Sequence, residues 1–490
     1  MLNFFKKNFF VFFCLIFIGV YTVLATRFTF WGDELFSVYY AKIGFIDLIK
    51  EYISFPDNHP PLYYLLLNLW QKIFNISFHN DYMFQLFSIF WHFATIAYIS
   101  KYFISNTNKR IVFIVLTVFS SFFFMYSHMV RYYSMVSFFY IVFYNQLNQW
   151  LKDTGNLSHL IFLNILTVFI AYTDYPTLML AAFYTAFRML QELHKFKLRP
   201  IFASIIIQLI VMLPIFYLNH QYSHSSGLSG ALGRHEFSYV HLIKPLMGFT
   251  QSLYHISFGE FFNMYIAPLF LVVLLILILL NLKKIHHMLD DNETRIHVGF
   301  ILFNLIFLSL FLTFVVTRYP IFSFARFLLP VGYILFLLIA NLQSSVIVIF
   351  FLVVNSFAIS QNILHKSFIN PIYFVPKEKV FQLYSSVFNK YGNVLWIADD
   401  KCPFGYLRDK HFPSSISLSS EYVFKIVTLR INGTPETPKY IEKDLERNYG
   451  KVLVSQGFDN FSKSSKCFLQ RIGLMNTDYK YYYYVIRKDA

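Results

Sequence analysis

Long apolar runs recur along the chain, each closed by a short polar or basic stretch. The first extends from Phe9 to Thr26 behind Lys6 and Lys7. It has the length of a membrane-crossing helix, and no small-x-small cleavage site follows it, so it reads as an uncleaved first span. Further runs lie near Tyr82–Ile104, Ile111–Tyr126, Tyr133–Trp150, Leu160–Thr173, Pro176–Leu190, Ile201–Leu218, Met264–Leu282, Val298–Val316, Phe327–Leu342 and Ser345–Gln361. Together they predict about eleven transmembrane helices. Two stretches between spans, Arg27–Asp81 and Asn219–Asn263, are too long to be simple connectors. Within the first, Glu34–Ile53 and Pro61–Phe74 repeat apolar residues at helical spacing, and Pro60 and Pro61 suit a helix start. With Trp31 and Trp70 nearby, these segments predict two amphipathic helices lying along the outer membrane face.

After about Asn362 the pattern changes, and residues 362–490 hold 12 of the 26 acidic residues. There Pro376–Lys390 reads as a helix, and Val394–Ala398, Lys451–Val454 and Tyr482–Ile486 read as strands. The predicted fold class is therefore an all-α polytopic membrane protein over residues 1–361, with residues 27–81 as its first outer loop. A small α/β domain over 362–490 completes it.

Composition sharpens this picture. Hydrophobic residues make up 57% of the 490 and charged residues 14%, where a soluble domain carries about 25% charge. Aromatics at 21% exclude intrinsic disorder. A net charge of +15 could suggest nucleic acid. Here, however, the bases lie between apolar runs, where they set topology or meet anionic lipid, so no nucleic-acid partner is expected.

With the N-terminus in the cytoplasm, alternate short loops on that side carry Lys101, Lys109, Arg110, Lys152, Arg188, Lys283, Lys284 and Arg295. The opposite short loops hold little beyond Arg131, Arg318 and Arg326. This positive-inside asymmetry supports an odd number of spans, a multi-pass protein of the inner or plasma membrane and an extracytoplasmic C-terminal domain. Of the three cysteines, Cys14 lies in the first run and Cys402 and Cys467 in the polar tail. An extracytoplasmic tail would let the latter two bridge, and two buried thiols are the alternative.

Three constellations carry chemistry. Asp33 and Glu34 follow the first span at the outer surface. They could cap a helix, or serve as a base that takes a proton from an acceptor hydroxyl or amine. In Asp57-Asn58-His59-Pro60-Pro61-Leu62-Tyr63-Tyr64, two prolines fix the backbone beside His59. Arg131-Tyr132-Tyr133, Arg318 and Arg326 place outward arginines beside aromatics, a clamp suited to a phosphate at the lipid interface. Asp174, in Thr173-Asp174-Tyr175-Pro176, is a further acid at a span end, which a simple turn explains equally well.

Taken in order, Trp31-x-Asp33-Glu34, His59-Pro-Pro-Leu-Tyr-Tyr64, Arg131-x-Tyr133 and Ala325-Arg-Phe-Leu-Leu-Pro330 resemble the GT-C glycosyltransferases. The resemblance is to the bacterial branch related to protein O-mannosyltransferases and the lipid A aminoarabinose transferase, over roughly residues 26–330. It implies a sugar donor on a polyprenyl phosphate, loaded from outside the cytoplasm, and an extracytoplasmic glycan, lipid or protein acceptor. It makes Asp33 the catalytic base with Glu34 the adjacent acid, and puts His59 in the motif that closes the site. On the same resemblance Arg131 and Tyr132 would hold the donor phosphate, and Arg326 is a weaker match. Many members have histidine where Asp174 stands. Arg318 is added from charge and position alone.

No cofactor is required on this reading, because arginine can stabilise a phosphate leaving group. A divalent metal is possible where Asp33, Glu34 and His59 converge. The alternatives are a lipid-linked polysaccharide polymerase or ligase, which would place key residues in a late loop, and a polytopic transporter. A transporter would show mid-membrane charge and repeated halves.

Overall fold

Helix starts in this chain are set by small polar side chains in the loops. Asn106 accepts from the amides of Asn108 and Lys109, and Asn156 from those of Ser158 and His159. Asp174 accepts from Thr177 N, with Pro176 just inside the helix. Such caps satisfy amides that a helix leaves unpaired. The computed structural model describes residues 15–24, 30, 32–54, 59–77, 80–192, 198–225, 240–259, 267–314, 326–363, 394–398, 424–433, 451–458, 478–487 and positions 389, 443 and 447.

Each predicted apolar run carries a helix. Helix α1 (Leu15–Leu24) is followed by three helices of the first outer segment, α2 (Gly32–Lys42), α3 (Phe45–Ser54) and α4 (Leu62–Phe74). The bundle continues through α5 (Tyr82–Tyr102), α6 (Thr107–Val118), α7 (Ser121–Ser127), α8 (Tyr133–Lys152), α9 (Leu157–Ala171) and α10 (Tyr175–Gln191). It closes with α11 (Leu198–Ser225), α12 (Val240–Phe258), α13 (Ala267–Leu280), α14 (Leu282–Leu289), α15 (Asn292–Phe314), α16 (Leu329–Leu342) and α17 (Ser345–Ile363). Among the described residues, α5 and α15 each contain a stretch long and apolar enough to cross a bilayer alone. The pairs α6–α7 and α13–α14 do so only together and are bent by 63° and 69°. On α9, Leu157, Ile161, Ile165 and Phe169 form an exposed stripe at four-residue spacing. Such a stripe belongs against lipid, because backbone groups are satisfied within the helix while apolar side chains face hydrocarbon.

The predicted helix Glu34–Ile53 is broken at Ile43-Gly44 into α2 and α3, so the first outer segment carries three helices where two were expected. The structure departs from the predicted pattern in two further places. The run Ile111–Tyr126 is not one helix: it breaks at Ser120, whose hydroxyl caps α7. The stretch Asn219–Asn263 is not simply a loop, since α12 lies within it and packs against α15, α17 and α7. His241, Lys244, Pro245 and His255 dilute its hydropathy, which hides it from a search for apolar runs.

The two further departures meet at a buried junction. Asn355 of α17 accepts from Ser121 N at 2.9 Å and donates to the carbonyls of Ser257 and Phe351, both at 2.9 Å. Ser121 Oγ donates to Phe258 O. Gly259, with φ +76°, is needed there, because a Cβ would strike Ser121 Oγ and lie 3.1 Å from Phe122 N. Asn355→Leu strips the partner from the Ser121 amide and is expected to cost about 1–3 kcal/mol. A lowered thermal midpoint in detergent would register it, and an unchanged midpoint would count against the junction as a stabilising element.

The remaining core is aromatic with internal polar links. Tyr140 OH donates to Asn304 Oδ1 at 3.0 Å, and Tyr144 OH and His297 Nδ1 are 2.6 Å apart. A cavity of about 220 Å³ lies near the far end of α8, among Asn148, Lys152, Glu293 and His297. In the C-terminal part, β1 (Val394–Ala398), β2 (Phe424–Gly433), β3 (Lys451–Phe458) and β4 (Asp478–Arg487) form one sheet in the order β1-β2-β4-β3. Strand β1 runs parallel to β2, the other pairs are antiparallel, and a register shift interrupts β3 between Val452 and Val454. The strands lie on the three predicted segments, and β2 was not foreseen. The predicted helix Pro376–Lys390, Cys14, Cys402, Cys467 and Arg318 lie outside the described residues, apart from the single position 389.

Candidate active site

Asp33 and Glu34 occupy the first turn of α2, where the helix dipole favours carboxylates. They face different surroundings. Asp33 is half-buried, and its carboxylate takes no hydrogen bond from any described residue. Glu34 is 4% exposed, and its Oε1 accepts from Val130 N at 2.7 Å. One acid is thus available for chemistry while its neighbour is fastened to the backbone next to Arg131.

Arg131 sits in the turn between α7 and α8 and is 2% exposed. Its Nη1 lies within donor reach of Asp33 O, Ser37 Oγ and Tyr64 OH at 3.2, 3.3 and 3.3 Å. Its Nε has no hydrogen-bond partner among the described residues. The guanidinium lies 5.3 Å over the Tyr132 ring, a cation–π arrangement. Asp33 and Arg131 interact through charge. No Asp33–Arg131 ion pair forms among the described residues: the arginine reaches the acid's own carbonyl instead.

His59 precedes the proline pair that starts α4. Tyr52 OH donates to its carbonyl at 2.7 Å, and its ring lies 4.9 Å from that of Tyr132. Burial first, and then Arg131 and Arg326, hold its pKa well below the usual imidazole range. His59 is therefore neutral at physiological pH.

Arg326 reaches the same region from the turn before α16. Its Nη1 donates to Tyr133 OH at 2.8 Å, and its guanidinium stacks over Tyr133 and Phe327. Asp174 is fully buried, and burial pushes its carboxyl up to about 6, against the opposing influence of Thr177, Arg326 and Tyr132. Its turn is tied to α4 by the bond from Leu62 N to Tyr172 O at 2.8 Å.

The structure thus brings together Asp33, Glu34, His59, Arg131, Tyr132, Asp174 and Arg326 from five separate segments. Arg318 lies outside the described residues. Sequence reasoning did not single out Ser37, and it quoted Tyr64 and Tyr133 within motifs without giving them a role. Ser37 lies one helical turn after Asp33, and Tyr64 closes the proline motif, so both could have been reached from spacing. A trio of Asp33, Glu34 and His59 as metal ligands does not fit. Among the described residues no three acidic, histidine or cysteine side chains come together for an ion, and Glu34 is committed to Val130.

The chain matches no family model and no curated protein sequence. Its backbone, by contrast, is similar to crystal structures of ArnT from Cupriavidus metallidurans, a lipid A aminoarabinose transferase. The apo structure of ArnT superposes with a TM-score of 0.54 at 10% identity, over 99% of this chain and 98% of that one. ArnT bound to undecaprenyl phosphate gives 0.50 at 11% identity, over 98% of each chain. This chain has a GT-C fold. At such identity the likeness concerns architecture, so what the GT-C scaffold does here rests on the side chains gathered around Arg131.

Proposed function

We propose that this protein is an integral-membrane glycosyltransferase that moves a sugar from a polyprenyl-phosphate donor to an extracytoplasmic acceptor. The observation that carries the reading is the pairing of an unfastened carboxylate, Asp33, with the buried cation Arg131 at one end of α8. The polyprenyl carrier is suggested by the undecaprenyl phosphate bound to ArnT.

The reaction follows from the residue types. A nucleophilic O–H or N–H of the acceptor attacks C1 of the sugar while Asp33 takes its proton. The bond from C1 to the phosphate oxygen breaks, and the carrier phosphate departs with the bonding electrons. Arg131 meets the charge that develops on that phosphate, with its unpartnered Nε–H available as a further donor. Glu34 positions this arginine by holding Val130, and His59, stacked beside Tyr132, walls the site as a neutral group. No step needs a metal.

Purified protein supplied with polyprenyl-phosphate sugars should release polyprenyl phosphate. A deletion strain should lack one sugar from an envelope glycan, lipid or protein by mass spectrometry. An unchanged envelope together with no turnover would sink the reading. We also propose that residues 362–490 form a separate extracytoplasmic domain. A reporter fused after Ala490 is then expected to be active only outside the cytoplasm, and cytoplasmic activity would reverse the assigned topology.

A further inference from the structure

Asp174 caps α10 from a fully buried position, where a carboxylate is costly to hold. Its Oδ2 makes the cap by accepting from Thr177 N at 2.9 Å and Thr177 Oγ1 at 2.6 Å. Asn or Ser would cap equally well without burying a charge. The other oxygen, Oδ1, is buried and has no hydrogen bond among the described residues. Close to the Asp174 carboxyl lies the Tyr132 hydroxyl, also buried and also without a hydrogen bond among the described residues. The tyrosine is close enough to favour the carboxylate form, yet the pair falls short of hydrogen-bond geometry.

The charged and titratable groups around Asp174 are those of the candidate site itself. Arg326 faces it from the turn before α16, and Tyr132 from the turn before α8. Tyr133 holds Arg326, and His59 from the start of α4 covers the Tyr132 ring. A second anion entering this site comes close to Asp174 and competes with it for the same arginine.

Donor and product differ in just this respect. The donor phosphate is a diester with one negative charge, whereas the released carrier phosphate is a monoester with about −1.5 to −2 at pH 7. Resting on the glycosyl-transfer reading, we propose that Asp174 is a positioning residue that discriminates between the two. As a carboxylate it shares Arg326 and repels the extra charge of the product phosphate, so that product leaves and donor enters. Burial places its titration near 6, so at neutral pH it is mostly ionised and this repulsion operates. As pH falls through that value the carboxyl takes up a proton and the discrimination fades.

The experiment measures binding of undecaprenyl phosphate to the full-length protein in detergent from pH 8 to pH 5, with Asp174→Asn and Asp174→Ser as variants that keep the cap. Relief of the like-charge repulsion is expected to change affinity about tenfold, the equivalent of about 1.4 kcal/mol. Both variants should bind this phosphate about tenfold tighter than the unaltered protein at pH 8. The ratio should shrink to near one at pH 5, where Asp174 is neutral. The same ratio measured with a polyprenyl phosphodiester, which keeps one charge from pH 8 to pH 5, separates titration of Asp174 from loss of the ligand's second charge. A ratio that stays flat with pH, or variants that bind more weakly, would overturn the inference alone. Absence of binding by the unaltered protein would overturn it together with the glycosyl-transfer reading.

Discussion

Asp33→Asn is expected to abolish transfer while leaving donor affinity nearly intact. The substitution keeps size and shape at the first turn of α2 but removes the oxygen proposed to take the acceptor proton. Loss of a positioned general base costs about 10²–10⁴ in rate. Because Asp33 is half-buried and its carboxylate takes no hydrogen bond from a described residue, asparagine leaves no buried partner stranded. The fold should therefore be retained, and the loss should fall on turnover rather than on donor binding. Single-turnover rates beside binding of a non-reactive polyprenyl-phosphate analogue separate the two. Full activity in this variant would remove Asp33 as the base.

The second large effect is expected at Arg131. On the proposed reading, Arg131→Ala takes positive charge from the donor phosphate in both the ground state and the transition state, so donor affinity and rate should fall together. Removing one preorganised donor to a developing anion costs about 10²–10³. Arg131 also serves Asp33 O, Ser37 and Tyr64, and its loss leaves these polar groups buried without it. A lowered thermal midpoint should accompany the kinetic loss. Arg131→Lys restores charge without the planar fork and should recover only part of the activity. A lysine variant as active as the original would show that charge alone matters at this position.

The sequence was most legible where chemistry is written into short motifs. Asp33, His59 and Arg131 stood out because a carboxylate, a proline-braced histidine and an arginine beside tyrosines are conspicuous between apolar runs. The helices beneath them were legible too, since an apolar run fixes both the position and the class of a span. What could not be read were pairings decided by tertiary packing. The bond from Val130 N to Glu34 joins two residues 96 positions apart, and neither periodicity nor composition encodes it. It assigns the two neighbouring acids different duties, where the motif alone treats them as a pair. Helix α12 was missed for a similar reason. Its buried polar residues, among them His255 and Ser257, dilute the apolar pattern, and its Ser257 and Phe258 carbonyls find partners in Asn355 and Ser121 only in three dimensions.

The junction at Ser121 also bears on how the protein is made. Its amide is paired with Asn355, a residue synthesised 234 positions later. While the ribosome is still working through the intervening spans, that amide at the bend has no permanent partner, and an exposed backbone donor in hydrocarbon costs several kcal/mol. The break between α6 and α7 must therefore wait in a provisional state, near water or within the insertion machinery. It locks only as α17 enters the bilayer. Assembly of the Arg131 site, which hangs from the end of α7, thus becomes one of the last events of biogenesis, so chains truncated before Asn355 should insert their early spans yet remain catalytically silent.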